Sequence, residues 1–454
     1  MATFPHFICA NLICALLPVL GCTQTSSQAD FGAPVSTETD TDNLLPVEDA
    51  AFYGFEIGNE VNSQNSPVVN MWGPGFPSES GIGGGYHSLD NAEHALIFSD
   101  AVDAGGYNHH AHLFHANGKF YGSWSNHSKG EDAAGQRVLY ASSEDGVNWT
   151  HWEELFPQPD EIKEWENGFG FYSVAGDWFV VDDELYATAQ IFEFTGWENA
   201  DKSNTQLFRD KDHYFRVRER YGYLCRKVSP DGTLGPVFAL SSRANGMKGL
   251  AYDFTPYGQN EAYDKVADAI RDERADRARF HGPMPKPIDT ARLVEPANYK
   301  TTDGVMVSIL RDDRFSHRKY MSYSLDDGKT WSTALPTDIP DSPSLDMALT
   351  APDGSILLIG NHCATAFDNP SNPRHYKRDI LDIAVSPDGY FFDQTFVIKS
   401  GEHQWRVPPE QVRARGGGPQ YPDALIVGDY LYVMYSSGKE DIWCSRVALA
   451  DLLD

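Results

Sequence analysis

Five histidines crowd the stretch Tyr107 to Trp149: His109, His110, His112 and His115 in YNHHAHLFH, then His127 after GKFYGSWSN. Imidazoles can move protons near neutral pH, bind metal ions or hydrogen-bond a polar substrate. The run His110-Ala111-His112-Leu113-Phe114 alternates, which predicts a strand with His110 and His112 on one face. His127 ends the next strand, Phe120–Ser125, and a hairpin returns it to the start of the first. Each histidine alone is as readily a surface residue. His110 and His127 together converge on one end of a hairpin, and they are the candidate catalytic pair, with His109 able to stand in for His110. Zinc ranks lower here, because carboxylates and cysteines are not interleaved with these histidines.

A basic segment, Asp212–Val228, interrupts an otherwise acidic chain. Arg216, Arg218 and Arg220 lead into the strand Tyr221–Val228, and guanidinium groups pair carboxylates or sulfates in bidentate fashion. The bland reading pairs them with Asp210, Asp212 and Glu219 at the surface. Arg220, just before the strand, is the preferred candidate, and Tyr186 in the preceding strand is a candidate phenol. Tyr252, Tyr257 and Tyr263 lie in a long insertion before His281, where a loop over a mouth would shape a substrate groove. His281, His362, Cys363 and His375 offer a set of metal ligands, read as a structural zinc site.

Short alternating runs must position these groups. KFYGSWS, RVLYASS, DELYATAQIF, VMVSIL, SILLIG, ILDIAVS and DYLYVMYSS all read as half-buried strands. One helix is expected, Glu261–Phe280, as an insertion between strands. The strand ends repeat a turn. Ser324-Leu325-Asp326-Asp327-Gly328-Lys329-Thr330-Trp331 fits S-x-D-x-G-x-T-W in full. Ser142–Trp149 reads as a degenerate copy with Glu144 in the place of the first Asp. Ser229-Pro230-Asp231-Gly232 and Ser386-Pro387-Asp388-Gly389 are shorter versions, and Asp353-Gly354 is the weakest. Gly takes the positive φ, Asp accepts local backbone N–H groups and Trp tucks under the turn. Repeats of such hairpins imply an all-β fold, a β-propeller. At about 50–60 residues per four-stranded blade, the length predicts seven blades, with six as the alternative.

The chain has 454 residues, 39 Gly, 27 Pro and a net charge of -29. Such an acidic balance argues against nucleic acid or an anionic membrane surface as partner. Residues 1–21 carry no charged side chain and read as a signal segment. They end Val19-Leu20-Gly21-Cys22, which matches a bacterial lipobox with Cys22 as the lipidated residue. Residues 22–46 read as a flexible tether, and 47–454 as a single propeller exported to the cell surface or beyond. Beyond the leader only Cys225, Cys363 and Cys444 remain, too few and too odd for a disulfide framework.

The Asp-box turns, the YNHH…GKFYGSWSN…EDAAGQRVLYASSEDGVNW stretch, RYGYLCRKVSPDGTLGPVF and QYPDALIVGDYLYVMYS together resemble the ulvan lyases among the sialidase-like propellers. The resemblance implies a monomeric seven-bladed lyase that cleaves ulvan, a sulfated algal polysaccharide, by β-elimination at its uronate. It implies no cofactor for catalysis, and members can hold a structural zinc. It places the family histidines on His110 and His127, the arginine on Arg220, and tyrosines on Tyr186 and Tyr263, with His109 and Arg218 at the substrate. Arg220 and a histidine would neutralise the carboxylate, and Tyr186 or His127 would take the C5 proton. The rival within the same fold is a sialidase-type glycoside hydrolase. That reading needs an arginine triad, for which Arg311, Arg378 and Arg415 are available, and a Tyr/Glu nucleophile pair. The N-terminal Arg-Ile-Pro motif of sialidases is absent. A third reading is a surface lipoprotein that binds glycans without cleaving them.

Overall fold

The strands gather into five sheets of four to six strands, each begun by a strand near a common axis. The computed structural model describes residues 44–45, 53–75, 85–159, 162–164, 169–199, 214–247, 253–281, 284–363, 378–401, 403–408, 411–412 and 417–453. The signal segment and nearly all of the tether lie outside the described residues. Blade 1 runs Tyr107–Ala116, Lys119–His127, Arg137–Ser143 and Glu153–Phe156. Blade 2 has Phe169–Val181, Glu184–Asn199, Tyr214–Val228 and Phe238–Ala239, and Ile162–Glu164 pairs with its first strand. Blade 3 has Leu293–Lys300, Met306–Asp312, Arg318–Ser324 and Leu335–Pro340. Blade 4 has Met347–Thr350, Ile356–Gly360, Ile380–Ser386 and Gln394–Ser400. Blade 5 has Pro419–Val427, Tyr430–Ser437 and Asp441–Ala448, and its fourth strand is Glu93–Phe98 from the other end of the chain. That pairing ties the two ends of the described chain into one blade, so little sheet edge is left open.

The described residues thus form five blades where length predicts seven or six. The extra residues are spent within blades. The first three strands of blade 2 are 13, 16 and 15 residues long. Early strands Glu56–Val61 and Pro67–Asn70 extend blade 3, and Tyr86–Ser88 extends blade 4. The expected helix spans Glu261–His281 and packs Ala267 and Ile270 onto Phe179, Cys225, Phe238 and Leu240 of blade 2. Cys225, Cys363 and Cys444 are buried and unbridged.

The Asp-box turns recur at one place, between third and fourth strands, in blades 1 to 4. In the full copy Ser324 Oγ donates to Asp326 Oδ1 (2.8 Å) and accepts from Gly328 N (2.9 Å). Asp326 also accepts from Thr330 N and Thr330 Oγ1 (2.8 Å each), and Trp331 Nε1 reaches Gly328 O (3.1 Å). The blade 1 copy corrects the sequence alignment. Its box serine is Ser143, and Asp145, not Glu144, accepts from Val147 N and Asn148 N (2.9 and 2.7 Å). The copies at Ser143, Ser229 and Ser386 therefore share a form one residue shorter, S-x-D-G. Asp353-Gly354 instead turns the first hairpin of blade 4. Asp326→Ala removes three hydrogen bonds and is expected to cost about 1–3 kcal/mol in urea unfolding. Asp353→Ala is the control, expected to cost about 1 kcal/mol or less.

Candidate active site

Four first strands carry a β-bulge at the same level. Residues 110–111 lie opposite Trp124, 176–177 opposite Thr188, 295–296 opposite Leu310, and 421–422 opposite Tyr435. At three of them the first bulged residue is non-glycine with positive φ: His110 (54°), Glu295 (54°) and Tyr421 (54°). Such backbone is strained for side-chain-bearing residues and re-aims them. The three side chains meet at the end of the propeller opposite the Asp-box turns.

Tyr421 is the centre of the cluster. Its hydroxyl donates to Glu295 Oε1 (2.8 Å) and accepts from Arg311 Nη1 (2.8 Å). Arg311 Nη1 also binds Glu295 Oε2 (2.8 Å), and its Nη2 binds Asp313 Oδ1 (3.0 Å). The Arg378 guanidinium lies 5.3 Å from the centre of the Tyr421 ring, held by Gln420 and the carbonyl of Pro343. Lys439 Nζ stands 5.9 Å from the same ring and pairs with Glu131 Oε2 (3.0 Å). Three cations thus converge on one phenol in a protein of net charge -29. Burial, then the Glu295 carboxylate, push the Tyr421 phenol far up, although Arg311 and Arg378 pull the other way. It is a neutral phenol with a base already on its proton.

His109 and His110 flank the cluster, with ring centres 4.6 Å apart and the His109 ring 4.2 Å from that of Tyr421. His109 Nδ1 meets Ser436 Oγ (2.7 Å), and His110 Nε2 lies 3.5 Å from Glu131 Oε1. Burial, with Lys439 next, holds His109 well below the usual imidazole range. Burial also lowers His110, against the pull of Glu131 and Asp132.

The bulge overrides the alternation read from the sequence. His110 turns to Glu131, whereas His112 lies between Asp177 (3.7 Å) and Asp423 (4.0 Å). The hairpin does bring His127 back beside Tyr107. Its ring, however, faces the carbonyls of Gly130 and Ala134 (3.1 Å each), so it pins the loop that carries Glu131. Tyr186 is at the opposite end of blade 2, near the 182–183 turn, edge-on to Phe238. Tyr263, on the helix, stacks on the same Phe238 at 4.7 Å. Arg220 sits on the third strand of blade 2, donating to Tyr223 (3.0 Å), away from the axis. The side chains of Arg218 and His281, and Tyr252, His375 and Arg415 altogether, lie outside the described residues.

Two residues of the expected zinc set, His362 and Cys363, have described side chains. His362 Nδ1 is taken by Asp382 Oδ1 (2.6 Å) and its Nε2 faces Asp346 Oδ2 (3.4 Å). Burial lifts the Cys363 thiol to about 12, and it contacts Ser342 Oγ at 3.2 Å.

Glu295, Tyr421, Glu131 and Lys439 were missed from sequence, though Arg311 and Arg378 belong to the arginine set considered there. A signal was present. Glu295-Pro296 and Tyr421-Pro422 each place Pro inside a strand, which marks a bulge.

The comparisons with known proteins agree with this architecture. Residues 258–433 match the family described as BNR repeat-like domain, and residues 98–173 match an N-terminal beta propeller. A search of curated proteins finds no match. A solved sialidase superposes with a TM-score of 0.56 at 19% identity, over 84% of this chain and 35% of that one. A protein of unknown function from Dyadobacter fermentans gives 0.43 at 14% identity, over 79% and 100%. A K499G mutant of NanB sialidase from Streptococcus pneumoniae gives 0.44 at 10%, over 79% and 71%. The chain spans about a third of the sialidase that it superposes on best among these three. By fold it is a β-propeller similar to that of the solved sialidase.

Proposed function

We propose that this chain processes an acidic glycan, and that it cleaves the glycosidic bond by displacement at Tyr421. The observation that carries the reading is the Tyr421 hydroxyl held 2.8 Å from both Glu295 Oε1 and Arg311 Nη1. A phenol this strongly protonated attacks only if its proton leaves as the bond forms, and Glu295 is placed to take it; the glycosidic C–O bond breaks with the leaving oxygen protonated by water, whose hydroxyl then frees the sugar from Tyr421 as Glu295 returns the proton. Two carboxylates about 4 Å apart would repel by about 4 kcal/mol at an effective dielectric near 20. A neutral tyrosine therefore suits a sugar that itself bears a carboxylate, as in the sialidases that use a Tyr nucleophile. Arg311 and Arg378 supply the guanidinium groups for that carboxylate, with Lys439 as a third cation. Export and a lipid at Cys22 would place the site where polymeric glycans are met.

A second reading is favoured by one feature. Burial lowers the His110 pKa, and its Nδ1 has no hydrogen-bond partner among the described residues, so it can serve as a base. Beside a uronate held by Arg311 and Arg378, it would remove the C5 proton while Tyr421 protonates the leaving oxygen. That is the elimination expected of an ulvan lyase, with His110 as the resemblance implies but with Tyr421, Arg311 and Arg378 in place of Tyr186 and Arg220.

One assay separates them. The purified chain is incubated with a fluorogenic sialoside, with uronate-containing glycans and with ulvan, and both reducing ends and ultraviolet absorbance are followed. Released fluorophore or new reducing ends without rising absorbance are expected of displacement. Absorbance rising with the reducing ends marks a new double bond and would replace displacement by elimination. Silence on every acidic glycan would leave the binding protein.

A further inference from the structure

We infer that His109, His110 and Glu131 form a site for a divalent transition-metal ion of the zinc type. The three residues each offer one ligand atom, and these atoms lie within 4.8 Å of one another. Neighbours on a regular strand point to opposite faces, but the bulge at 110–111 brings both imidazoles to the same side. His110 holds a positive φ to do so. Ser436 Oγ occupies Nδ1 of His109 and so presents its Nε2, the usual arrangement around a metal-binding imidazole. His109 Nε2 and His110 Nδ1 are buried and have no hydrogen-bond partner among the described residues. Bare buried nitrogens of this kind call for a partner. Glu131 stands four residues beyond His127, on the loop that His127 pins. Its Oε2 holds Lys439 while its Oε1 faces His110, and its side chain is 24% exposed, which leaves a path from solvent.

Two imidazoles and one carboxylate select zinc or a neighbouring transition ion over calcium or magnesium, which prefer all-oxygen shells. Lys439, Arg311 and Arg378 stand close by, so the open position would go to an anionic oxygen rather than a neutral one. A second group, His403, Glu440 and Asp441, also has clustered donors. There Glu440 already takes Arg406 N (3.0 Å), Val407 N (2.9 Å) and His403 Nε2 (3.1 Å), and Arg406 also pairs with Asp441. That group is an internal clamp on residues 403–407.

The test uses the full chain, stripped with a chelator and then dialysed against zinc or cobalt. Wild type is expected to retain one equivalent of zinc and to melt at a higher temperature with zinc than without. His109→Ala, His110→Ala and Glu131→Gln are each expected to lose the equivalent and the thermal shift, while His403→Ala keeps both. Circular dichroism checks each variant's fold, and Glu131→Gln, at the partly exposed position, serves if a histidine variant does not fold. The inference is overturned if wild type retains no zinc, or if the folded variants keep theirs. Thiolate charge-transfer bands in the cobalt spectrum would place the ion on a cysteine and overturn it equally.

Discussion

Tyr421→Phe is expected to lower kcat on the responsive glycan by at least about 10³-fold while the protein remains folded. The change deletes one oxygen. Arg311 keeps both its carboxylate partners, Glu295 and Asp313, so the cluster stays charge-paired. The lost hydrogen bonds should cost about 1 kcal/mol of stability, too little to unfold the domain. Catalysis has no such reserve, because the ring without its hydroxyl can neither attack an anomeric carbon nor protonate a leaving oxygen. Glu295→Gln tests the other half of the pair. The amide keeps a hydrogen bond to Tyr421 but cannot accept its proton, and kcat should fall by about 10²–10⁴-fold with KM little changed. Under elimination by His110, Glu295 is not the base and its amide should be far milder, so the ratio of the two variants distinguishes the chemistries. A Tyr421→Phe enzyme within tenfold of wild type would remove Tyr421 from the reaction altogether.

The elements were far more legible than the site. The full Asp-box turn announces itself within eight residues, because Ser, Asp, Gly and Trp all act on their own hairpin. The helix Glu261–His281 was equally local. The site is not local: Glu295, Arg311, Arg378 and Tyr421 come from three blades, and nothing short of the closed ring brings them together. The bulges add a second obstacle. Strict alternation puts His110 with His112, yet one extra residue in the strand separates their surroundings and joins His110 to His109. Blade number misled for a related reason, since residues per blade is an average and blade 2 alone uses strands of 13 to 16 residues. Arg220 and Tyr186 lie in blade 2, on its third strand and at the end of its second strand near the 182–183 turn, whereas the cluster around Tyr421 is built from other blades.

Lys319→Met is expected to be the most destabilising single change, by about 3–5 kcal/mol in urea unfolding at neutral pH. Lys319 is buried on the third strand of blade 3, with Nζ 2.9 Å from Asp341 Oδ1, Asp346 Oδ1 and the carbonyl of Ser344. Burial alone would strip its proton, but Asp341 and Asp346 outweigh that and hold its pKa above the usual lysine value. Methionine fills the space and leaves two carboxylates facing each other with His362, 3.4 Å from Asp346, as the remaining counter-charge. Lys319→Met/Asp346→Asn should recover part of the loss, since it removes one of them; a double variant no more stable than Lys319→Met would locate the damage in packing instead. The same cluster reaches the site, because the 341–346 loop it anchors supplies the Pro343 carbonyl that holds Arg378. The cluster also sets a pH dependence. Burial opposes the charge on His362, but Asp382 and Asp346 prevail and raise it to about 9, above its value of 6.5 in an open chain. Burial pushes Asp382 up, and it opposes the charge on Asp346 too, but there Lys319 and His362 prevail and hold the carboxyl down. A group with a raised folded pKa contributes its full stabilisation below 6.5 and loses it as pH climbs through about 9. Wild type should therefore weaken between pH 7 and 10, and His362→Asn, less stable at neutral pH, should show a flatter slope there. Equal slopes for the two proteins would mean that His362 does not carry the proton that neutralises this buried acidic cluster.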